Sequence, residues 1–140
     1  MKTKLIYTNL PIDQIHYLDR PEFHKEEKEF KNKLTASIKK HGILEPVYAE
    51  YGNDYGSIIK VIVGNNRMAV AQELGIKEVP IIVNIYNPEK FHLEGRELKT
   101  DEEIRSLFKL KNQLHIRRDE EGRIDTIMPP RYETVENEYV

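Results

Sequence analysis

The 140-residue chain carries 22 Lys and Arg against 24 Asp and Glu, a formal charge of -2, and it contains no cysteine. That balance argues against a protein that grips nucleic acid by bulk positive charge, and the missing thiols exclude disulfides, thiolate metal sites and cysteine nucleophiles. The length suits one domain with its own core; apolar runs no longer than a strand, and no signal-peptide core after Met1-Lys2-Thr3-Lys4, predict a soluble cytoplasmic protein with no membrane partner.

Lys4 to Thr8 reads as a first strand, and Leu10-Pro11-Ile12-Asp13-Gln14-Ile15 leads into a polar loop holding His16, Asp19, Arg20, Pro21 and His24. A long helix is expected from about Glu22 to His41, with Phe30, Leu34 and Ile38 on one side at four-residue spacing and Gly42 as its stop. The mixed charges of Lys25 to Lys33 read as a solvated helix face supported by pairs such as Glu27 with Lys31. Val47 to Tyr51 and Ser57 to Val63 are two strands joined by the turn-rich Gly52-Asn53-Asp54-Tyr55-Gly56. The end of the second, Val61-Ile62-Val63, reads as buried on both faces.

A second helix is expected from about Asn66 to Leu74, with Met68, Ala71 and Leu74 inward, and Val79 to Ile85 returns to the sheet. Beyond the breaker Asn87-Pro88-Glu89-Lys90, Thr100-Asp101-Glu102-Glu103 is a capping box opening a helix with Ile104, Leu107, Phe108 and Lys111 on its inner stripe. Leu114 to Arg118 and Arg123 to Met128 then form a hairpin turned by Asp119-Glu120-Glu121-Gly122, and Pro129-Pro130 ends it before an acidic tail. The fold class is α/β, with 1–86 as the main domain, 87–128 as a helix and hairpin packed on it, and 129–140 as a flexible tail. Only one convincing helix follows Tyr86, so no helix-turn-helix DNA reader is expected there.

The junction Val63-Gly64-Asn65-Asn66-Arg67 carries the chemistry. Gly64 permits a sharp turn, Asn65 or Asn66 is expected to cap the helix, and the helix amides, the positive end of its dipole and the Arg67 guanidinium together favour a phosphate or carboxylate. The competing reading is a capped helix whose arginine pairs with a structural carboxylate. His16 and His24, without cysteine or matched spacing, do not make a zinc site, and no metal ligands are assigned. His41 reads as a cation at a helix C-terminus.

Leu34-Thr35-Ala36-Ser37-Ile38-Lys39-Lys40-His41-Gly42-Ile43-Leu44-Glu45-Pro46-Val47, then a strand, Gly64-Asn65-Asn66-Arg67, Leu74-Gly75 and Val79-Pro80 follow one another in an order that resembles the ParB/sulfiredoxin superfamily, over roughly Leu10 to Tyr86. The resemblance implies a mixed sheet with packed helices and a nucleoside triphosphate, CTP or ATP with Mg²⁺, as cofactor. It assigns Gly42, Gly64, Asn65, Asn66, Arg67 and Arg20 to binding. Chromosome-partitioning members show Gly-Glu-Arg-Arg-x-Arg at the helix start; here only the glycine and the second arginine remain, so fewer cations face a triphosphate. Sulfiredoxins place a cysteine where Asn65 stands, and with no thiol that chemistry is excluded.

Three readings follow. The chain is a nucleotide-binding module that regulates a DNA-associated process; or an enzyme, a phosphotransferase, NTPase or nuclease, with Glu45 or Asp19 as general base; or an accessory interaction module whose Arg117, Arg118, Arg123 and Arg131 meet DNA phosphates. The partners so implied are a nucleotide, DNA or a DNA-associated protein, and a second copy of the chain. Compact size without a reader domain suggests, by analogy, a phage or mobile-element protein.

Overall fold

The computed structural model describes residues 3–18, 28–52, 56–108 and 114–128. Five strands form one mixed sheet. These are β1 (Lys4–Pro11), β2 (Val47–Tyr51), β3 (Ile59–Val63), β4 (Glu78–Ile85) and β5 (Arg96–Leu98), in the spatial order β3-β2-β4-β1-β5. β4 is central because it alone combines length with an almost unbroken β-branched run; its last five residues are all buried. It pairs antiparallel with β1 and parallel with β2, whose partner Val47 lies opposite Ile81. Parallel pairing needs a crossover, and the segment from β2 through β3 and α2 (Asn65–Glu73) supplies it.

Both faces of the sheet are covered. On one, Val47, Ala49, Val61, Val79, Ile81 and Val83 meet Met68 and Ala71 of α2, while α1 (Lys28–His41) lies on α2 through Leu34 and Ile38 against Val70. On the other, Leu5, Tyr48, Ile82 and Leu98 pack against Ile104 of α3 (Asp101–Arg105), Phe108, Leu114, and Ile124 and Ile127 of the hairpin β6 (His115–Arg118) and β7 (Ile124–Met128). The chain is therefore a mixed α/β fold with a C-terminal strand pair on the second face.

Several sequence expectations shift. β1 runs three residues past Thr8, because its whole length finds a partner in β4, and a single 3-10 turn, Ile12–Gln14, follows it. β5 is unannounced by any apolar run: Arg96, Glu97 and Leu98 are a strand because β1 offers them an edge. β3 is an edge strand with Lys60, Ile62 and Val63 only half-buried, which corrects the reading of Val61 to Val63 as buried on both faces. α3 is five residues, shorter than its stripe suggested, although its capping box forms: Thr100 Oγ1 accepts from the Glu103 amide at 3.1 Å. The expected helix start near Glu22, the pair partner Glu27, Lys111 and the tail lie outside the described residues.

A polar seam joins the second face to the hairpin. Asn84, wholly buried in β4, donates from Nδ2 to the Tyr48 hydroxyl and to the Ile124 carbonyl, both at 2.9 Å; the Tyr86 hydroxyl donates to Glu50 Oε2 at 3.1 Å. Asn84 Oδ1 is buried with no hydrogen-bond donor among the described residues. Burial, then the negative charge of Glu50, pushes both phenols above the ordinary tyrosine range, against the lowering effect of the Asn84 bond on Tyr48.

Candidate anion-binding junction

Gly64 is the N-cap of α2 at φ +113°, left-handed backbone that a side chain rarely tolerates. Space demands glycine as well: a Cβ would stand 2.6 Å from Val47 Cγ1 and 3.2 Å from Arg67 Nη2. The turn thus lets α2 begin directly against the start of β2, and its first turn contains no acidic residue. Amides that open an α-helix have no acceptor within it, so the positive end of the dipole faces outward beside Arg67.

The Arg67 guanidinium reaches the loop between α1 and β2. Its Nη1 donates to the Glu45 carbonyl at 2.6 Å and stands 3.4 Å from that of Pro46. These two backbone oxygens tie the two glycine-flanked segments of the expected binding set into one junction. Glu45 itself is 5% exposed, in a loop that opens at Gly42, φ +76°, whose amide closes α1 by donating to Ile38 at 2.8 Å. A side chain at Gly42 would meet nothing within 4 Å among the described residues.

Asn65 corrects its expected role. It does not cap α2, which has no side-chain cap; its Oδ1 accepts from the Leu18 amide at 2.8 Å, across 47 residues. Tyr17 likewise donates to Gln72 Oε1, and Glu73 pairs with Lys31 of α1 at 3.1 Å. α2 therefore anchors the segment that precedes the polar loop as well as the helix that follows it. The structure brings Arg67 to the Glu45 carbonyl and Gly64 against Val47, with Asn65 and Asn66 beside them in the first turn of α2 and Gly42 three residues before Glu45 in the same loop, while Asp19, Arg20 and His24 lie outside the described residues. Leu18, Tyr17 and Gln72 were missed by the sequence reading. Nothing local in the sequence signals a bond between residues so far apart.

Three arginines of the extension meet acids. Arg117 pairs with Asp125 at 3.0 Å, Arg118 with Asp101, and Arg123 with Asp119 at 2.8 Å and Glu121 at 3.3 Å. Each of these three cations faces a carboxylate across an exposed surface; Arg131 lies outside the described residues. No helix among the described residues is long and apolar enough to cross a membrane.

A mixed sheet whose glycine-entered helix meets the loop after a preceding helix is the ParB/sulfiredoxin arrangement that the motifs suggested. Residues 1–94 match the ParB N-terminal domain model, and the chain belongs to that family. It is similar to the chromosome-partitioning protein ParB of Myxococcus xanthus, 37% identical over 75 residues, which cover 53% of this chain and 24% of that protein. A probable chromosome-partitioning protein ParB of Treponema pallidum is 33% identical over 87 residues, covering 56% and 26% respectively. The chain thus spans about a quarter of the length of these relatives. Among solved structures it is similar to C-terminally truncated ParB from Caulobacter crescentus complexed with CTP-gamma-S, at 23% identity and a TM-score of 0.45, over 76% of this chain and 52% of that one.

Proposed function

We propose that the junction between the end of α1 and the start of α2 binds the phosphates of a nucleoside triphosphate, CTP or ATP with Mg²⁺, and that the chain is a binding module regulating a DNA-associated process. The observation that carries this reading is the first turn of α2, entered through an obligatory glycine, free of acidic residues and overlain by Arg67. Phosphate oxygens there would meet oriented amides and the dipole's positive end. A guanidinium has five N–H donors in a fixed fork, so holding the loop carbonyls and contacting a ligand are compatible roles. Gly42, Gly64, Asn65, Asn66 and Arg67 form the described part of the binding set, with Arg20 as its further member.

Among the described residues no group of three or more His, Asp or Glu could hold a metal ion. Mg²⁺ would arrive with the phosphates, as it does where few carboxylates are offered. DNA, a DNA-associated protein and a second copy of the chain are the partners such a module would act on.

The test is isothermal titration with CTP, ATP, GTP and UTP in Mg²⁺, CTP first because a relative is complexed with its analogue. The expected result is binding tighter than millimolar for at least one nucleotide, weakened roughly tenfold or more by Arg67→Ala, the loss of a charge-assisted contact. No binding in that range, or an affinity indifferent to Arg67→Ala, overturns the proposal.

One observation favours a catalytic variant of this reading: Glu45 is a buried acidic residue in the loop whose carbonyl Arg67 holds. As general base, with Asp19 as the other candidate, it would activate a hydroxyl or water at the bound phosphate. In the same samples, phosphate release that survives both Glu45→Gln and Asp19→Asn contradicts that assignment.

A further inference from the structure

A cleft of about 520 Å³ opens at the end of the sheet opposite the glycine junction. Gly64 lies beside Val47 and Val63 at one end of the β2–β3 pair, whereas Tyr51 and Ile59, paired at the other end, line the cleft. Its apolar lining is Ile15, Ile58, Ile59, Leu93 and two stacked rings, Tyr51 on Phe91, with centroids 3.8 Å apart and planes 15° from parallel. Ile58 is 40% exposed, a large aliphatic side chain left in water although it lines a cavity. Both walls are held by the backbone. The His16 amide donates to the Ile59 carbonyl at 2.7 Å and its carbonyl accepts from Val61 at 2.8 Å; the Phe91 amide donates to the Asn87 carbonyl at 3.1 Å, and Asn87 Nδ2 donates to that of Gly52 at 3.3 Å. The cleft is thus preformed, and its volume falls in the range of small-molecule sites, which join an apolar lining to a few placed polar groups.

The polar lining is one-sided. Asp13, Gln14, His16, Ser57 and His92 all offer acceptors, and no described lysine or arginine lines the cleft. The Asp13 carboxylate has no ion pair or hydrogen bond with any described residue. We propose that this cleft binds a small organic amine, its protonated nitrogen at the Asp13 carboxylate and its flat apolar body along Ile58 and the Tyr51–Phe91 stack. The carboxylate and an aromatic wall both attract a cation. An organic anion would instead meet Asp13, and Glu94 held by His92 at 3.1 Å, with no lysine or arginine in the described lining to offset them. This inference stands apart from the nucleotide site, since it uses no residue of that binding set.

The test is titration of the full chain with tryptamine, followed by indole emission, which belongs to the ligand alone because the chain has no tryptophan. Indole-3-propionate, which puts a carboxylate on the same ring, and ethylamine, a cation without the ring, are the comparison ligands, and amide shifts of isotope-labelled protein follow all three. The expected result is saturable tryptamine binding in the millimolar range or tighter, roughly tenfold weaker for each comparison ligand, with shifts clustered in residues 13–16, 57–59 and 91–93. Asp13→Asn should weaken tryptamine about fivefold, the upper worth of an exposed ion pair, and Ile58→Ser about threefold through lost apolar contact. Thermal unfolding checks that both variants fold; if Asp13→Asn does not, Asp13→Glu, which keeps the charge, must bind within about threefold of the parent and Ile58→Ser must still weaken binding. No saturation, equal binding of indole-3-propionate, shifts clustered at residues 64–67 instead, or an affinity indifferent to Asp13→Asn each overturns the inference. Arg67→Ala, expected to leave tryptamine binding intact, distinguishes its failure from that of the nucleotide proposal.

Discussion

Gly64 and Gly42 look alike in sequence, since each adjoins a helix end, yet the structure separates them. Alanine at Gly64 meets both a left-handed φ and a side-chain collision with Val47, two costs of about 1–3 kcal/mol each. Alanine at Gly42 meets only the first, roughly 1 kcal/mol, because no described residue crowds it. Urea unfolding of the two variants should therefore show Gly64→Ala losing at least twice as much stability as Gly42→Ala; equal losses would contradict the account of the junction. At this scale the sequence made Gly64 and Arg67 legible, because a strand–glycine–helix transition is a local pattern. It did not reveal that Asn65 serves Leu18, nor that Arg67 turns back to the Glu45 and Pro46 carbonyls, because those partners are brought near only by the sheet.

Element by element, the order strand, helix, two strands, helix, strand, helix and hairpin was readable from periodicity and breakers, with only β5 and the 3-10 turn unread, and the hairpin register follows its turn, where Asp119 Oδ1 accepts from the Glu121 and Arg123 amides at 2.9 Å. The seam beneath it was not readable. Asn84 sits in an apolar run and its partners Tyr48 and Ile124 are 36 and 40 residues away. The seam makes the hairpin's attachment sensitive to alkali. Tyrosine in an unfolded chain ionises near pH 10, whereas burial holds Tyr48 protonated well above that. Above pH 10 the folded state therefore binds more protons than the unfolded one, so stability is fully present below that pH and falls as pH rises, by up to about 1.4 kcal/mol per unit for Tyr48. Tyr86 adds a smaller slope of the same sign, since it is open to screening by solvent. Denaturant melts between pH 9 and 11.5 should show this decline, reduced in Tyr48→Phe, which should also cost about 1–3 kcal/mol at neutral pH by taking a partner from Asn84. An alkaline slope identical in the variant and the parent would remove the seam from the explanation.

Across the whole molecule, the extension is part of the core. The family match ends at residue 94, but Leu5, Tyr48 and Ile82 are at most 5% exposed only because Leu98, Ile104, Phe108, Ile124 and Ile127 cover them. Uncovering three such side chains forfeits roughly 1.5–3 kcal/mol each, a large share of the 5–15 kcal/mol that holds a typical domain together. A fragment of residues 1–94 should accordingly bind a hydrophobic dye and lose cooperative unfolding, while a well-folded, monomeric fragment would show the second face to be self-sufficient. The sequence marked the helix and hairpin as additional elements but could not say which face they close, since their apolar stripes fit either side of a sheet equally well.

His16 has a wider effect than its single residue suggests. Its amide donates to the Ile59 carbonyl at 2.7 Å and its carbonyl accepts from Val61 at 2.8 Å, so the outer rim of β3 is already occupied by the protein's own chain. The opposite rim, β5, offers a run of only three residues. A foreign β-segment seeking to lengthen the sheet would find one margin blocked and the other too brief to template it, which shields the chain from edge-to-edge aggregation.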